Sequence, residues 1–274
     1  MQIKVKFINE RLAKEYFALL SIISLIFSFV FIVVDIPNKL KMPIGLLLLV
    51  FLLSLYIILW IRSNLLSKVK LKINNSTMVV KTGDIFKEDD FKVIAFNEYF
   101  DTQVDNKIIS EKTLNGIYIK KLVENIVELD NLISDDTHLK DRIIESNNQR
   151  PCGKKIKYKL GTIFQHNDYL LTAFTKFDND NRAYLNMNDY INFLLNFWNE
   201  IDIIYAGRSV SIPLLGSGIT RFKEYNTISE QELLELLIWS FKISRIKFTY
   251  PSKVSVIIHE SKKDKINFYK LKEC

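Results

Sequence analysis

Two of the chain's eight glycines stand one residue apart in the stretch SIPLLGSGITRF, Ser211–Phe222, directly after an apolar run. Glycine tolerates positive φ and has no Cβ to hold a ligand away from the backbone. Successive main-chain N–H groups in such a bend can converge on one anion, as in a phosphate nest. Gly216 and Gly218 are therefore candidates to hold a phosphate, with Ser217 adding a hydroxyl and Arg221 able to neutralise charge. Two other stretches carry complementary chemistry. Gly83-Asp84-Ile85 offers a carboxylate beside a flexible backbone. FNEYFDTQVDNKIIS, from Phe96, supplies amides and carboxylates, notably Asn97 and Asp101. Each stretch by itself is an ordinary turn, so their meaning depends on the elements that position them.

Strand-like apolar runs precede all three: Lys70–Lys81 before Gly83, Phe91–Phe96 before Asn97, and Ser209–Leu215 before the glycine pair. Helical patterns cover Ile117–Leu132, Met187–Trp198 with Asn186 as its cap, and Ser229–Ser240, which opens on the capping box SEQE. Further strands are expected at Lys157–Phe164, Tyr169–Thr175 and Val254–His259, while Ser134–Lys155 is polar without a clear period. This alternation predicts an α/β sandwich around a central sheet. In such sheets ligands bind beyond the carboxyl ends of the strands, where the three loops lie. Tyr190, Phe193, Phe197 and Trp198 fall at helical spacing and read as core. Asp135, Asp136 and His138 read as solvated, and no metal site is expected.

The first 67 residues differ. Phe17–Val34 and Ile44–Ile61 are 18-residue runs without a charge, each about 27 Å long as a helix and close to the thickness of a bilayer's hydrocarbon core. A two-span membrane hairpin over residues 1–67 is expected, followed by a cytoplasmic domain over 68–274. Ser21, Ser24 and Ser28 share one helical face and suit close helix packing. Of the net charge of +7, residues 1–67 carry +4, from seven Lys/Arg against three Asp/Glu. The basic residues flank the spans, which places both termini in the cytoplasm, at the inner membrane, and argues against nucleic acid as partner. Cys152 and Cys274 do not make a disulfide framework.

Strand–GDI, a second strand ending in Asn97, and later strand–Pro–Gly-x-Gly-Ile followed by helix and strand resemble the macro domain, the ADP-ribose-binding fold. The resemblance covers about residues 70–260. It implies that Asp84, with Ile85 beside it, meets the adenine amino group. It also implies that Gly216, Ser217, Gly218 and Ile219 wrap the diphosphate and distal ribose. The family's Asn-Ala-Ala-Asn is here AFNE, and the glycine-rich loop that follows it is replaced by YFDTQVDNKIIS. With the hairpin, FNEYFDTQVDNKIISEKTLNG and IPLLGSGITRF, the chain is similar to the membrane-anchored macro effectors of type II Thoeris anti-phage systems; Asn115 of the Asn115-Gly116 turn belongs to the same likeness.

That resemblance implies a non-enzymatic effector without a cofactor. It would bind a histidine-conjugated ADP-ribose made by a TIR-domain partner enzyme, self-assemble and disrupt the membrane. The alternative is a membrane-tethered ADP-ribosylhydrolase, for which Asp101 and Asp105 are the candidate general bases. A third reading is an anchored scaffold with a vestigial pocket.

Overall fold

A computed structural model describes residues 3–178, 180–218, 220–223 and 228–273. Ile219 lies outside the described residues. The chain divides into two compact units, Met1–Ser67 with Asn267–Lys270, and Lys68–Ile266 with Leu271–Cys274.

In the first unit, α1 (Glu10–Val33) is capped by Asn9, whose side chain accepts from Leu12 N, and α2 spans Asn38–Leu65. Both are long and apolar enough to cross a membrane, and their most apolar 18-residue windows have no buried residue. A core helix of a soluble protein buries one face. Here Phe29, Ile32, Leu47 and Val50 are all exposed. Helix α2 starts at Asn38, several residues before the apolar run, so the connection is shorter than the DIPNKLKMP segment suggested. The hydroxyls of Ser21 and Ser28 donate to carbonyls of their own helix, Ala18 O and Ser24 O. At the opposite end of the hairpin Asn64 Oδ1 accepts from Lys4 N and Val5 N at 2.7 and 2.9 Å, while Trp60 Nε1 donates to Val5 O. The chain's first residues are thus stitched to the last two turns of α2.

The second unit is built on a sheet in the order β1-β2-β11-β9-β3-β7-β8-β10, with β6 also paired to β7. Its strands are β1 (Lys68–Ile73), β2 (Ser76–Thr82), β3 (Phe91–Asn97), β6 (Ile163–His166), β7 (Tyr169–Phe177), β8 (Ala183–Leu185), β9 (Val210–Pro213), β10 (Arg221–Phe222) and β11 (Val254–Ile258). A separate ribbon pairs β4 (Ile143–Ser146) with β5 (Ile156–Tyr158). Strands β2, β11, β9, β3 and β7 run parallel, so their carboxyl ends share one rim. Strand β8 runs antiparallel to β7, and β10 parallel to β8.

Helices cover both faces. Helices α3 (Leu114–Leu122), α4 (Ile126–Asp135) and α5 (Thr137–Lys140) contribute Tyr118, Ile119, Leu129, Ile133 and Leu139 to a core with Ile94, Phe96, Leu171 and Ala173. From the other side α6 (Met187–Ile204) packs Phe193 against Phe174, ring centroids 4.8 Å apart, and packs Trp198 against Phe241 of α7 (Glu230–Ser244). The α/β/α sandwich is as expected. Tyr190, Phe193, Phe197 and Trp198 are fully buried, Asn186 caps α6, and Ser229 and Glu232 form their capping box.

Several boundaries differ from the sequence reading. Lys70–Lys81 is two strands, because Asn74 and Asn75 both take positive φ (51° and 65°) and turn the chain back as a tight hairpin. Ile117–Leu132 is two helices, because Asn125 caps a second one by accepting from Val127 N and Glu128 N. Lys157–Phe164 is broken at Gly161, φ +92°, where a Cβ would come within 2.8 Å of Phe197 N. The polar stretch 134–155 contains α5 and β4.

Candidate ligand-binding rim

The three chemically suggestive loops all leave the shared rim. At the end of β2, Gly83 N donates to Ile258 O at 3.0 Å, holding the turn against β11. Asp84 is exposed and caps a short turn, its Oδ1 accepting from Phe86 N at 3.1 Å, while Ile85 is buried beneath it. A carboxylate carried on an ordered turn and still open to solvent can accept from an amino group.

The loop after β9 is fixed at its root. Leu214 O accepts from both Ser217 N and Ser217 Oγ, and Tyr190 Oη donates to Leu215 O. Gly216 has φ +88°, and a Cβ there would lie 3.1 Å from Phe222 Cζ. Gly218 has nothing within 4 Å of where its Cβ would stand. The first glycine thus serves the fold, and the second faces open space. In the sheet β9 is separated by β3, β7 and β8 from β10, the edge strand that Arg221 starts. Arg221 is exposed on that edge.

Asn97 and Asp101 lie deeper. Asn97 Oδ1 accepts from Tyr99 N and Asp101 N at 3.0 and 3.3 Å, and its Nδ2 donates to Asp101 Oδ2 at 3.0 Å. Asp101 Oδ1 also accepts from Lys154 N, and both its oxygens meet the guanidinium of Arg150. Asn97 is 2% and Asp101 1% exposed, so both work inside the turn. Asp105 is exposed, and accepting from Ile108 N and Lys107 N holds its carboxyl below the usual range. Asn115 stands in the first turn of α3, next to Gly116, whose N–H donates to the capping Thr113 Oγ1. Gly116 is obligatory there, since a Cβ would fall 2.2 Å from Ser110 O.

Three features were missed by the sequence reading. Arg150, from the otherwise featureless polar stretch, is 5% exposed and stacks 4.0 Å from the Tyr99 ring centroid. Glu98, 1% exposed, takes Phe177 N on its Oε1 at 3.2 Å, and burial pushes its pKa up to about 7. Its unusual place in AFNE was the available signal. Third, a cleft of about 280 Å³ opens on the rim beside β8 and β10, lined by Asp178, Arg182, Tyr184, Arg221 and Lys223 among others. A larger cleft, about 420 Å³ between Arg142, Glu200 and Ile203, contains none of the rim residues. The buried Glu200 on its wall is contacted by Arg142 Nε and by His138 Nε2, so His138 is engaged rather than simply solvated. Asp136 caps α5 through Leu139 N.

Residues 78–259, covering both the GDI turn and the glycine loop, match the family described as Thoeris protein ThsA, Macro domain. The chain belongs to that family. A Thoeris protein ThsA of Bacillus amyloliquefaciens strain Y2 is 46% identical over 244 residues, which span 87% of this chain and 81% of that protein. Among solved structures, the Oceanobacillus iheyensis macrodomain with ADP aligns over 76% of this chain and 95% of its own, at 13% identity and a TM-score of 0.47. The same macrodomain with MES bound aligns over 76% and 94%, at 13% identity and 0.43. Within the ThsA family match, the sheet from β2 to β11 is the macro domain, and the α1–α2 pair precedes it.

Proposed function

We propose that this ThsA family member is an anti-phage effector that binds an ADP-ribose-derived nucleotide on the rim, then self-assembles and disrupts the membrane its hairpin crosses. One observation carries this reading: Asp84, the Gly216–Gly218 loop and Asn97 emerge from β2, β9 and β3 at the same end of one sheet. Adjacent strands are about 4.8 Å apart. Adenine over Asp84, diphosphate under the glycine loop and the distal ribose by the Asn97 turn then follow one line along the rim. The resemblance of the motifs supports a histidine-conjugated ADP-ribose supplied by a TIR-domain enzyme. Exposed apolar helices flanked by Lys and Arg support an inner-membrane hairpin with both termini in the cytoplasm.

The physical requirement is coupling. The ligand must bind the assembled state more tightly than the resting one, and shifting 1:99 to 99:1 takes about 5.5 kcal/mol of that preference. Catalysis is not part of the proposal. Asp101 is engaged by Arg150, and Asp105 Oδ1 already accepts from Lys107 N and Ile108 N. The hydrolase reading retains one favourable observation, the buried Glu98 with its raised pKa. The test is calorimetry of the full chain in lipid nanodiscs with ADP-ribose and its histidine conjugate, with sizing of the complexes and assay of ADP-ribosylated protein. Binding and growth in size without turnover are expected; absence of binding, or steady turnover, overturns the proposal.

A further inference from the structure

We propose that Asn267–Lys270 is a strap through which an occupied rim repositions the two helices of the hairpin, an inference that rests on the nucleotide reading above. The chain belongs to the first unit at these residues and to the second on either side of them, with Ile266 and Leu271 fully buried at the two crossings. Within the first unit the strap reaches both helices. Asn267 Nδ2 donates to Lys4 O at 2.9 Å, and Lys4 N and Val5 N are the groups that bind Asn64 of α2. The guanidinium of Arg11, in the first turn of α1, lies 5.5 Å from the Tyr269 ring centroid, a cation–π pair. Phe268 and Tyr269 are both buried, so the strap is packed in place.

Within the second unit, the segment that feeds the strap is fastened beside both of the turns proposed to hold adenine and diphosphate. It continues β11, whose Ile258 O accepts from Gly83 N, next to Asp84, at 3.0 Å. A 3-10 turn then runs over Glu260–Lys265. Lys262 Nζ and Lys265 Nζ both donate to Glu230 Oε1, at 2.9 and 2.8 Å, and Glu230 is the first residue of α7, the helix that follows the glycine loop and β10. The other link to the hairpin starts from the same rim, because Lys68, where the second unit begins, pairs with Lys81 just before Gly83. The covalent routes between the units thus start from the rim ends of β1 and β11. A ligand that draws the Asp84 turn and the glycine loop together shifts both attachments of the Glu260–Lys265 turn, and the strap follows directly. Tighter binding to that shifted arrangement is what allows a ligand to drive a change.

The test uses full-length protein in two variants: Asn267→Ala with Tyr269→Ala, which cuts the strap from the hairpin, and Glu230→Ala, which frees the turn that feeds it. In nanodiscs without nucleotide, Glu230→Ala should speed hydrogen exchange of the Lys4 and Val5 amides roughly threefold or more over wild type, although those amides lie in the other unit. Unchanged exchange there overturns the strap. In liposomes, wild type given ADP-ribose or its histidine conjugate should release a trapped dye. Both variants should release it roughly tenfold more slowly or worse, while binding the nucleotide as tightly as wild type or more so, because the resting hairpin no longer opposes binding. Release at the wild-type rate by either variant that binds nucleotide also overturns the strap. Should the strap variant fail to bind, its lesion is general and Glu230→Ala alone decides. Wild type that binds no nucleotide removes the reading on which the strap rests; the exchange measurement needs no ligand and keeps the two failures apart.

Discussion

Arg150 meets both carboxylate oxygens of Asp101, at 2.6 and 3.1 Å, with the two side chains 3% and 1% exposed. Around them Gly153 runs at φ +87°, in a position where a Cβ would come within 2.6 Å of Arg150 Nη1 and 2.7 Å of Asp101 Oδ1. A loop whose sequence suggested chemistry is therefore a fastening, in which a charge pair from two distant segments fixes the turn after β3.

Removing one partner of a buried pair leaves the other charged and desolvated, at a cost of about 3–5 kcal/mol. Arg150→Met should destabilise the macro domain by that order in chemical denaturation. Arg150→Lys should recover part of the loss, since a point charge cannot reproduce the two-pronged contact. A loss below about 1 kcal/mol, the scale of an exposed pair, would show that water reaches Asp101.

The two loop glycines should behave oppositely. Gly216→Ala combines a left-handed backbone with a contact against Phe222, so a loss of about 1–3 kcal/mol is expected. Gly218→Glu has open space around it and should leave the melting temperature unchanged while abolishing nucleotide binding, because a carboxylate enters the anion nest. Equal nucleotide affinity in Gly218→Glu and wild type would remove the loop from the site.

Most of this architecture was legible because local signals and burial agree. The runs ending at Thr82, Asn97 and Leu215 are strands because the sheet buries both their faces, and Asn186 and Ser229 cap helices for reasons contained in a few residues. What could not be read depends on contacts distant in sequence. Arg150 has meaning only through Asp101, 49 positions away, and Asn181, 31 away. The short strands β8 and β10 carry no period of their own; β8 exists because β7 extends to Phe177 and offers an edge, and β10 because β8 offers the next one. Asn97 and Asp101 were recognised as polar residues of the rim, but no spacing rule shows that their polar atoms are used on one another.

Asp84→Ala removes a cap to Phe86 N and an exposed carboxylate. Losing the cap should cost about 1 kcal/mol. If the carboxylate meets adenine, affinity for ADP-ribose should fall while affinity for ribose 5-phosphate holds. Parallel weakening of both ligands, measured by calorimetry, would count against the adenine role.

Glu98 makes stability depend on pH in the direction opposite to an ion-paired acid. Its carboxyl has a pKa of about 7 in the fold, against 4.5 for the unperturbed group, with burial as the main cause and Lys157 only partly offsetting it. Between those values the folded chain holds a proton that the unfolded chain has released. Stability should therefore be greatest below about pH 4.5 as far as this group is concerned, fall as pH rises to about 7, and then level off. The full difference is about 3 kcal/mol at roughly 1.4 kcal/mol per pH unit. Glu98→Gln keeps an acceptor for Phe177 N without the charge, so it should exceed wild type in stability at pH 8 and converge with it in acid. Denaturation curves at pH 4.5, 6, 7 and 8 check this, and two profiles running parallel across that range would mean that Glu98 ionises freely in the folded protein.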